Sequence, residues 1–365
     1  MLFPRFFTIS MARTFQVVEP GDPAWRSAYD QFAPDDRDVF YDPDFARVCA
    51  LTIHQDDHVA AALYSQGDID ILYPFVRRDV SDVIGHSNLG AGRRDIVSLY
   101  GRGGALCAAG AAVNSTEFHD CFAEWCRSQK IICAFDRFHP VLENHRLAPN
   151  TAEVFEVGEF VVVDLRPEMK AVEANFRYSM RKAIRKGVES GVVVEMREDI
   201  KHLETFMDIY HETLDRNGAR EFYYFPEAFY PSMAKEMPGR FAFYYGVVDG
   251  EIVTCELVLF SDRFAHSYLG GTRKSGFAAS ANQILKLEIM RDLKRRGCEY
   301  FLLGGGQSRD DGVFRYKLAY APDGARRSFV GGTVFLPEDY ATLREELRAA
   351  DFPVMADRFQ FYDAG

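Results

Sequence analysis

The 365-residue sequence has only seven cysteines, Cys49, Cys107, Cys121, Cys126, Cys133, Cys255 and Cys298, with no C-x-x-C pair and no zinc-finger spacing. An odd count without such spacing argues against a disulfide framework and for reduced thiols in the cytoplasm. No apolar run approaches the ~20 residues needed to cross a bilayer, so no membrane span is expected. The apolar opening MLFPRFFTIS is broken by Arg5 and is followed by no small-residue cleavage site. Met11 is a second plausible start, which makes residues 1–10 an extension or a loose arm. Positive charge is in deficit: 43 Lys and Arg against 54 Asp and Glu leave a formal net charge of −11. That excludes a globally basic nucleic-acid binder, gives no expectation of a DNA partner, and requires any nucleic-acid contact to come from a local patch. Internal repeats and low-complexity segments are absent. So are a G-x-S-x-G elbow, a Walker loop and a complete dinucleotide fingerprint. His54 with His58, and His139 with His145, lack a convincing third ligand, so no metal site is expected.

What is present is an ordinary globular composition, 47% hydrophobic and 27% charged. The length exceeds what one core usually organises, so two domains are expected, residues 11–167 and 168–350, with a tail at 351–365. Helical spacing of apolar residues marks 24–33, 42–51 and 115–129, the last capped by Ser115. Strands are expected at 59–64, 69–78, 131–136 and 159–165. The second half reads as a helix over 169–189, a strand at 192–196, helices over 200–215 and 226–237, strands at 240–248, 251–260 and 263–270, a helix over 281–296 and a buried strand at 298–303. Asp249-Gly250 between alternating apolar runs is a hairpin signal. This order gives an α/β fold with a mixed sheet, antiparallel until a crossover helix returns a parallel neighbour.

Three constellations could carry chemistry. Arg273-Lys-Ser-Gly276-Phe-Ala278 joins a strand to a helix, where exposed N–H groups and the helix dipole bind phosphate; the bland reading is a flexible connection. On the helix that follows Phe176, Arg177, Arg181 and Arg185 recur at i, i+4 and i+8 with Lys182 and Lys186 beside them. Residues 170–190 carry six basic and two acidic side chains, +4 within an acidic chain. Like charges at this spacing repel, and a polyanionic partner relieves that cost; the alternative is a solvated face. The third is Gly304-Gly305-Gly306-Gln307, followed by Arg315 and Lys317, where glycines after a buried strand let a ligand approach the backbone.

The segments NFRYSMRKAIRKGVESGV, AFYYGVVDGEIVTCELVLF, SYLGGTR, LKRRGCEYFLLGGG and GVFRYKLAYAPDGARRSFVGGTVF resemble, in order and spacing, the Fem-type branch of the GNAT superfamily. FYDPDFARV, ILYPFVRR, DIVSLYGRGGAL and FDRFHPVLENH resemble the N-terminal module of the same proteins. The resemblance covers about residues 37–345. It implies tandem GNAT-like domains and transfer of an acyl group to an amine, with either aminoacyl-tRNA or acetyl-CoA as donor. The long helical-hairpin arm of some Fem proteins has no room between Gly191 and Arg240.

The primary expectation is an aminoacyltransferase that takes an aminoacyl group from the acceptor end of aminoacyl-tRNA and joins it to an amine of a small molecule or peptide, with no cofactor. The alternative is an N-acyltransferase using acetyl-CoA or another acyl-CoA as co-substrate. A third reading is a binding protein on a degenerate scaffold. Arg177, Arg181, Arg185, Lys186, Arg273 and Gly276 are the expected phosphate contacts. Tyr223, Tyr224 and Tyr268 are available for base stacking, and Gly304, Gly305, Gly306, Gln307 and Arg315 line the substrate. Lys317 matches the Fem-type lysine near the end of the second domain, although the usual Phe-Lys adjacency is here Tyr316-Lys317. It would stabilise the oxyanion or hold the ribose–phosphate. A strand there would put Phe314, Tyr316 and Leu318 on one side and Arg315 and Lys317 on the other. Glu256, His266 and Tyr268 are expected near the acceptor amine, provided that a three-residue turn at 261–263 sets Glu256 opposite Tyr268; a two-residue turn sets it opposite Ser267 and separates them.

Overall fold

A computed structural model describes residues 13–67, 69–108, 115–306 and 311–363. Among them, thirteen strands form one mixed sheet. From one edge the first half supplies Thr14–Val18, His58–Gln66, Ile69–Asp79, Arg94–Val97 and Ile131–Arg137. From the other edge the second half supplies Val193–Arg197, Phe241–Val248, Glu251–Phe260, Phe264–Thr272 and Tyr300–Gly304. The short strand Leu106–Cys107 pairs with Ile69–Asp79, off this path.

The two halves meet through an exchange of strands. Glu153–Asp164 belongs to the first half in sequence but pairs antiparallel with Tyr300–Gly304 of the second. Ala325–Val334 comes from the end of the second half but pairs antiparallel with Ile131–Arg137 of the first. The two exchanged strands also pair with each other, from Ala325 opposite Val161 to Gly332 opposite Glu153. Each half is thus completed by hydrogen bonds from a strand that the other half lends.

Each half also contains one parallel pair spanned by a crossover helix, as right-handed β-α-β sterics favour. In the first half the pair is Arg94–Val97 with Ile131–Arg137, and the helix is Thr116–Ser128, which buries Phe118, Phe122 and Cys126. In the second half the pair is Phe264–Thr272 with Tyr300–Gly304, and the helix is Ala281–Arg295, which buries Ile284, Leu285, Leu287, Ile289, Met290 and Leu293. Only Phe264–His266 is paired with Tyr300–Leu302. Beyond that point the two strands part, and the gap between them is the centre of the second half.

Three features depart from the sequence expectations. The basic segment is two helices, Met169–Asn175 and Tyr178–Glu189, because Phe176 and Arg177 both adopt extended ψ angles of 144° and 149°. Residues around Lys317 form the helix Gly312–Leu318 instead of a strand, nucleated by Asp311, whose Oδ1 accepts from the Phe314 N–H. The chain does not divide into consecutive halves with a free tail. Helix Pro337–Ala349 and the residues after it pack on the first half, where Leu343, Leu347, Phe361 and Tyr362 share a core with Val80, Ile84, Ile132 and Cys133.

Candidate active site

Beside the point where the two parallel strands stop pairing, one face of the sheet carries a buried polar cluster. Helix Ala281–Arg295 carries Lys286 in its buried stripe, where the ammonium donates to Glu256 Oε2 and, at 3.0 Å, to Ser267 Oγ. Glu256 is 4% exposed, and its second oxygen, Oε1, is buried without a hydrogen-bond partner among the described residues. Burying a carboxylate and an ammonium costs desolvation that their attraction only partly offsets, so such a pair with an orphan acceptor marks a candidate for function.

Lys317 approaches the same cluster from helix Gly312–Leu318. Its Nζ donates to the Gly305 carbonyl at 2.7 Å. Burial and the Lys286 charge lower its pKa to about 8, against the opposing pull of Glu256 and Asp311. Gly304 has φ +96°, and a Cβ there would stand 2.8 Å from Lys317 Nζ. The glycine therefore provides both the left-handed backbone and the clearance that the ammonium needs. Behind Lys317, Asn282 Nδ2 donates to the Tyr316 hydroxyl at 2.9 Å, and that hydroxyl lies 3.0 Å from the Tyr320 hydroxyl. Gly306 closes on the Asp311 carboxylate. Arg315 is exposed on the same helix, and Gln307 lies outside the described residues.

His266 and Tyr268 do not join this cluster. A bulge between Leu257 and Val258 sets Glu256 opposite Gly270 and Val258 opposite Ser267, so neither expected turn register occurs. The bulge leaves Glu256 and Ser267 on the face of Lys286, whereas His266 and Tyr268 face the other core. There Tyr268 packs among Phe40, Phe45, Tyr100, Phe225 and Phe229, and its buried hydroxyl has no partner among the described residues. Tyr223 and Tyr224 sit on the loop beyond the same aromatic group. The Tyr224 hydroxyl donates to Asp215, and Tyr223 lines a cavity of about 940 Å³ with Tyr100, Arg137 and Arg220.

His266 belongs to a buried junction between the halves. Its Nε2 lies 2.6 Å from Asp38 Oδ2, and His139 Nε2 lies 3.4 Å from the same oxygen. Two histidines and a carboxylate within 4.8 Å have the composition of a metal site. His139 Nδ1, however, accepts from the backbone N–H groups of Val141 and Leu142 at 3.2 and 3.0 Å, so the ring proton is on Nε2, the atom a metal would need. The junction is a carboxylate hydrogen-bonded to His266, with the His139 ring facing the same oxygen at 3.4 Å.

The expected phosphate contacts separate. Arg177, Arg185 and Lys186 are exposed, with Lys182, on helix Tyr178–Glu189, and none has an ion-pair partner among the described residues. Arg181 turns back and donates to the carbonyls of Ala174 and Phe176, capping the preceding helix. Met180 and Gly187 bury the opposite face, Gly187 against Ile284 and the Ser280 carbonyl. Arg273 donates to the Ile252 carbonyl, and Lys274–Ala278 is a short helix rather than an open loop. Gly276 is packed there: a Cβ would meet the Val253 carbonyl at 3.1 Å.

Lys286, Ser267 and Asp38 were not among the expected site residues. The signal for Lys286 is a lone lysine inside the apolar run Ile284-Leu-Lys-Leu-Glu-Ile-Met290; Asp38 and Ser267 carry no local signal.

The arrangement of a splayed parallel pair, its crossover helix and a second copy of the same unit is found in known proteins. The structure of FemX superposes with a TM-score of 0.68 at 10% identity, covering 90% of this chain and 99% of that one. The chain shares the fold of FemX. L-PGS from Bacillus licheniformis superposes at 0.52 and 13% identity, covering 90% of this chain and 97% of that one. A tandem GNAT protein from the clavulanic acid biosynthesis pathway superposes at 0.50 and 9% identity, covering 89% of this chain and 99% of that one. Residues 174–318, which contain Glu256, Ser267, Lys286 and Lys317, match the family described as Acetyltransferase (GNAT) domain. No curated protein sequence matches the chain. The polar cluster thus lies beside the end of the Phe264–His266 pairing, within the residues that match the GNAT domain. Among the described residues, no helix is long and apolar enough to cross a membrane.

Proposed function

We propose that the protein is an acyltransferase that moves an aminoacyl group from aminoacyl-tRNA to an amine. The observation that carries this reading is the exposed cationic face Arg177, Lys182, Arg185 and Lys186, without ion-pair partners among the described residues, at the start and along helix Tyr178–Glu189, which packs through Gly187 against the start of the crossover helix that holds Lys286. Tyr178 on the same helix is 67% exposed and available to stack on a terminal base. The segment Lys274–Ala278, where an acyl-CoA pyrophosphate would sit in the alternative reading, is helical and packed on Val253.

In this reaction the amine nitrogen bonds to the ester carbonyl carbon, and the carbonyl electrons move to oxygen. Lys317, as ammonium, stabilises that oxyanion. The tetrahedral centre collapses by breaking the bond to the ribose oxygen, which leaves as a hydroxyl once protonated. Glu256, with Oε1 free among the described residues and Oε2 held by Lys286, takes the proton that the amine loses and returns it to the departing ribose oxygen. An ester is already activated, so positioning and charge stabilisation suffice and no covalent enzyme intermediate is required.

Binding of acetyl-CoA and of charged tRNA, each measured across a salt series, tests the donor. The expected result is tRNA binding that weakens steeply with salt. Tight acetyl-CoA binding with no salt-sensitive tRNA binding rejects this reading in favour of an acyl-CoA donor.

A further inference from the structure

The Tyr100-Gly-Arg-Gly-Gly104 loop belongs to the first half, yet its arginine reaches the cluster of the second. The loop backbone is wedged. Gly101, at φ +131°, would place a Cβ 2.5 Å from the Phe40 ring, Gly103 would place one 2.4 Å from Ser98 Oγ, and Gly104, at φ +82°, would place one 2.7 Å from the Phe138 ring. Side chains are excluded on both sides of Arg102, and the arginine is aimed across the exchanged strand Glu153–Asp164. Its guanidinium carbon stands 4.3 Å from the centre of the Phe160 ring. The edge of that ring is 4.0 Å from a Cβ on Gly304, the position that Lys317 Nζ approaches to 2.8 Å. One aromatic ring therefore separates Arg102 from Lys317, and the two cations act electrostatically on each other.

Arg102 has no ion pair or hydrogen bond among the described residues. The guanidinium is half-buried against the Phe160 ring with no anion beside it among the described residues, and it stands near two further cations, Lys317 and Lys286, so this part of the site carries an excess of positive charge that an anion entering from solvent would offset. Burial and the charge of Arg137 lower its pKa to about 10, so it is still a cation at neutral pH. The planar fork of an arginine fits two oxygens of one phosphate, whereas the Lys317 ammonium offers a point charge.

We propose that Arg102 is a phosphate-binding residue that the first half contributes to the site of the second, gripping a phosphate ester of a bound substrate across the Phe160 ring from Lys317. This rests on the acyl-transfer reading only for the source of the phosphate, which is either the terminal phosphodiester of a nucleic-acid donor or a phosphate on the acceptor.

Binding of inorganic phosphate and pyrophosphate to wild type, Arg102→Gln and Arg102→Lys tests the residue without any transfer reaction. The expected result is a loss of at least tenfold in Arg102→Gln and partial recovery in Arg102→Lys, with an unchanged or higher melting temperature once the unpaired charge is gone. Equal phosphate binding by all three overturns the proposal, and so does a lowered melting temperature in Arg102→Gln that Arg102→Lys restores without restoring phosphate binding. The source follows from charged tRNA: a salt slope reduced by about one in Arg102→Gln assigns the donor phosphodiester, and an unchanged slope with a raised acceptor KM assigns the acceptor. Phosphate binding that depends on Arg102 in a protein that ignores tRNA upholds the residue and rejects the tRNA donor.

Discussion

Gly304 and Lys317 occupy each other's space: the ammonium fills the position where a Gly304 side chain would begin, 2.8 Å from an ideal Cβ, and is held there by the Gly305 carbonyl at 2.7 Å. The contact joins the end of a buried strand to the helix that follows it, and it is kept at a cost. The Lys317 pKa is lowered by burial to about 8. The unfolded chain therefore binds more protons between about pH 8 and 10.5, and the folded state gains stability as pH rises through that window. At neutral pH the lysine is a net burden on folding.

Lys317→Met should accordingly lower single-turnover aminoacyl transfer by about 10²-fold or more while leaving the melting temperature at pH 7 unchanged or higher. Wild-type activity should decline above about pH 8 as the ammonium is lost. Gly304→Ala should reduce turnover in the same way by displacing the ammonium, with some added backbone strain at φ +96°. Wild-type single-turnover rates in Lys317→Met would remove the residue from the site, and a large fall in its melting temperature would make it structural.

The cationic helix gives a second expectation. Arg185 and Lys186 are exposed, and the docking stripe of Phe176, Met180 and Gly187 is on the other side. Arg185→Glu with Lys186→Glu should weaken tRNA binding and flatten its salt dependence by about two units of slope, with no change in thermal stability. Reversal at Arg181 is the wrong test, because that guanidinium holds the Ala174 and Phe176 carbonyls. Donor affinity equal to wild type at moderate salt would reduce the face to solvated charge.

Much of the fold was legible because its signals are local. Asp249-Gly250 gave the hairpin, and the apolar spacing of Ile284 to Leu293 gave the crossover helix. The strand exchange was not, since nothing near Glu153 or Ala325 tells which half either strand will pair with. Helix Gly312–Leu318 was read as a strand because seven residues are too few to separate period 2 from period 3.6, and its start depends on the Asp311 cap. At the site, Glu256 stood out as a carboxylate in an apolar strand, but the register that brings Ser267 to the same face was hidden by the bulge at Leu257, which shifts the facing of every residue beyond it. Arg102 was invisible for a related reason: its place depends on the exchanged strand that carries Phe160.

Lys286 and Glu256 allow structure and function to be separated. Lys286→Met leaves the Glu256 carboxylate buried without its cation and should destabilise the protein by about 3–5 kcal/mol. Combining it with Glu256→Gln removes both charges and should recover most of that stability. If Glu256 takes the proton from the amine, the double variant should fold well and still transfer at a small fraction of the wild-type rate. Recovery of turnover together with stability would show the pair to be a packing element. Denaturant melts and single-turnover assays on the same three samples decide between these outcomes.

The junction of Asp38 with His139 and His266 makes the association of the halves dependent on pH. Burial alone would raise the Asp38 carboxyl, but the charge and hydrogen bond of His266 and the His139 ring beside it hold it well below the usual carboxylate range. Burial keeps the His139 pKa below its ordinary value. Both groups bind protons more readily in the unfolded chain, so both contribute stability that is present at neutral pH and is lost on acidification. His139 acts as pH falls below its ordinary value of about 6.5, and Asp38 as it falls below about 4. Asp38→Asn should destabilise the protein by about 2–4 kcal/mol at pH 7, because Oδ2 serves both imidazoles while Oδ1 accepts from the Phe40 N–H. The variant has no carboxylate left to protonate, so its deficit should shrink as pH falls towards 3 and the two stability curves should converge. Urea melts of both proteins between pH 3 and 8 measure this, and a deficit that stays constant across the range would show that the junction is held by shape and hydrogen bonds without help from the Asp38 charge.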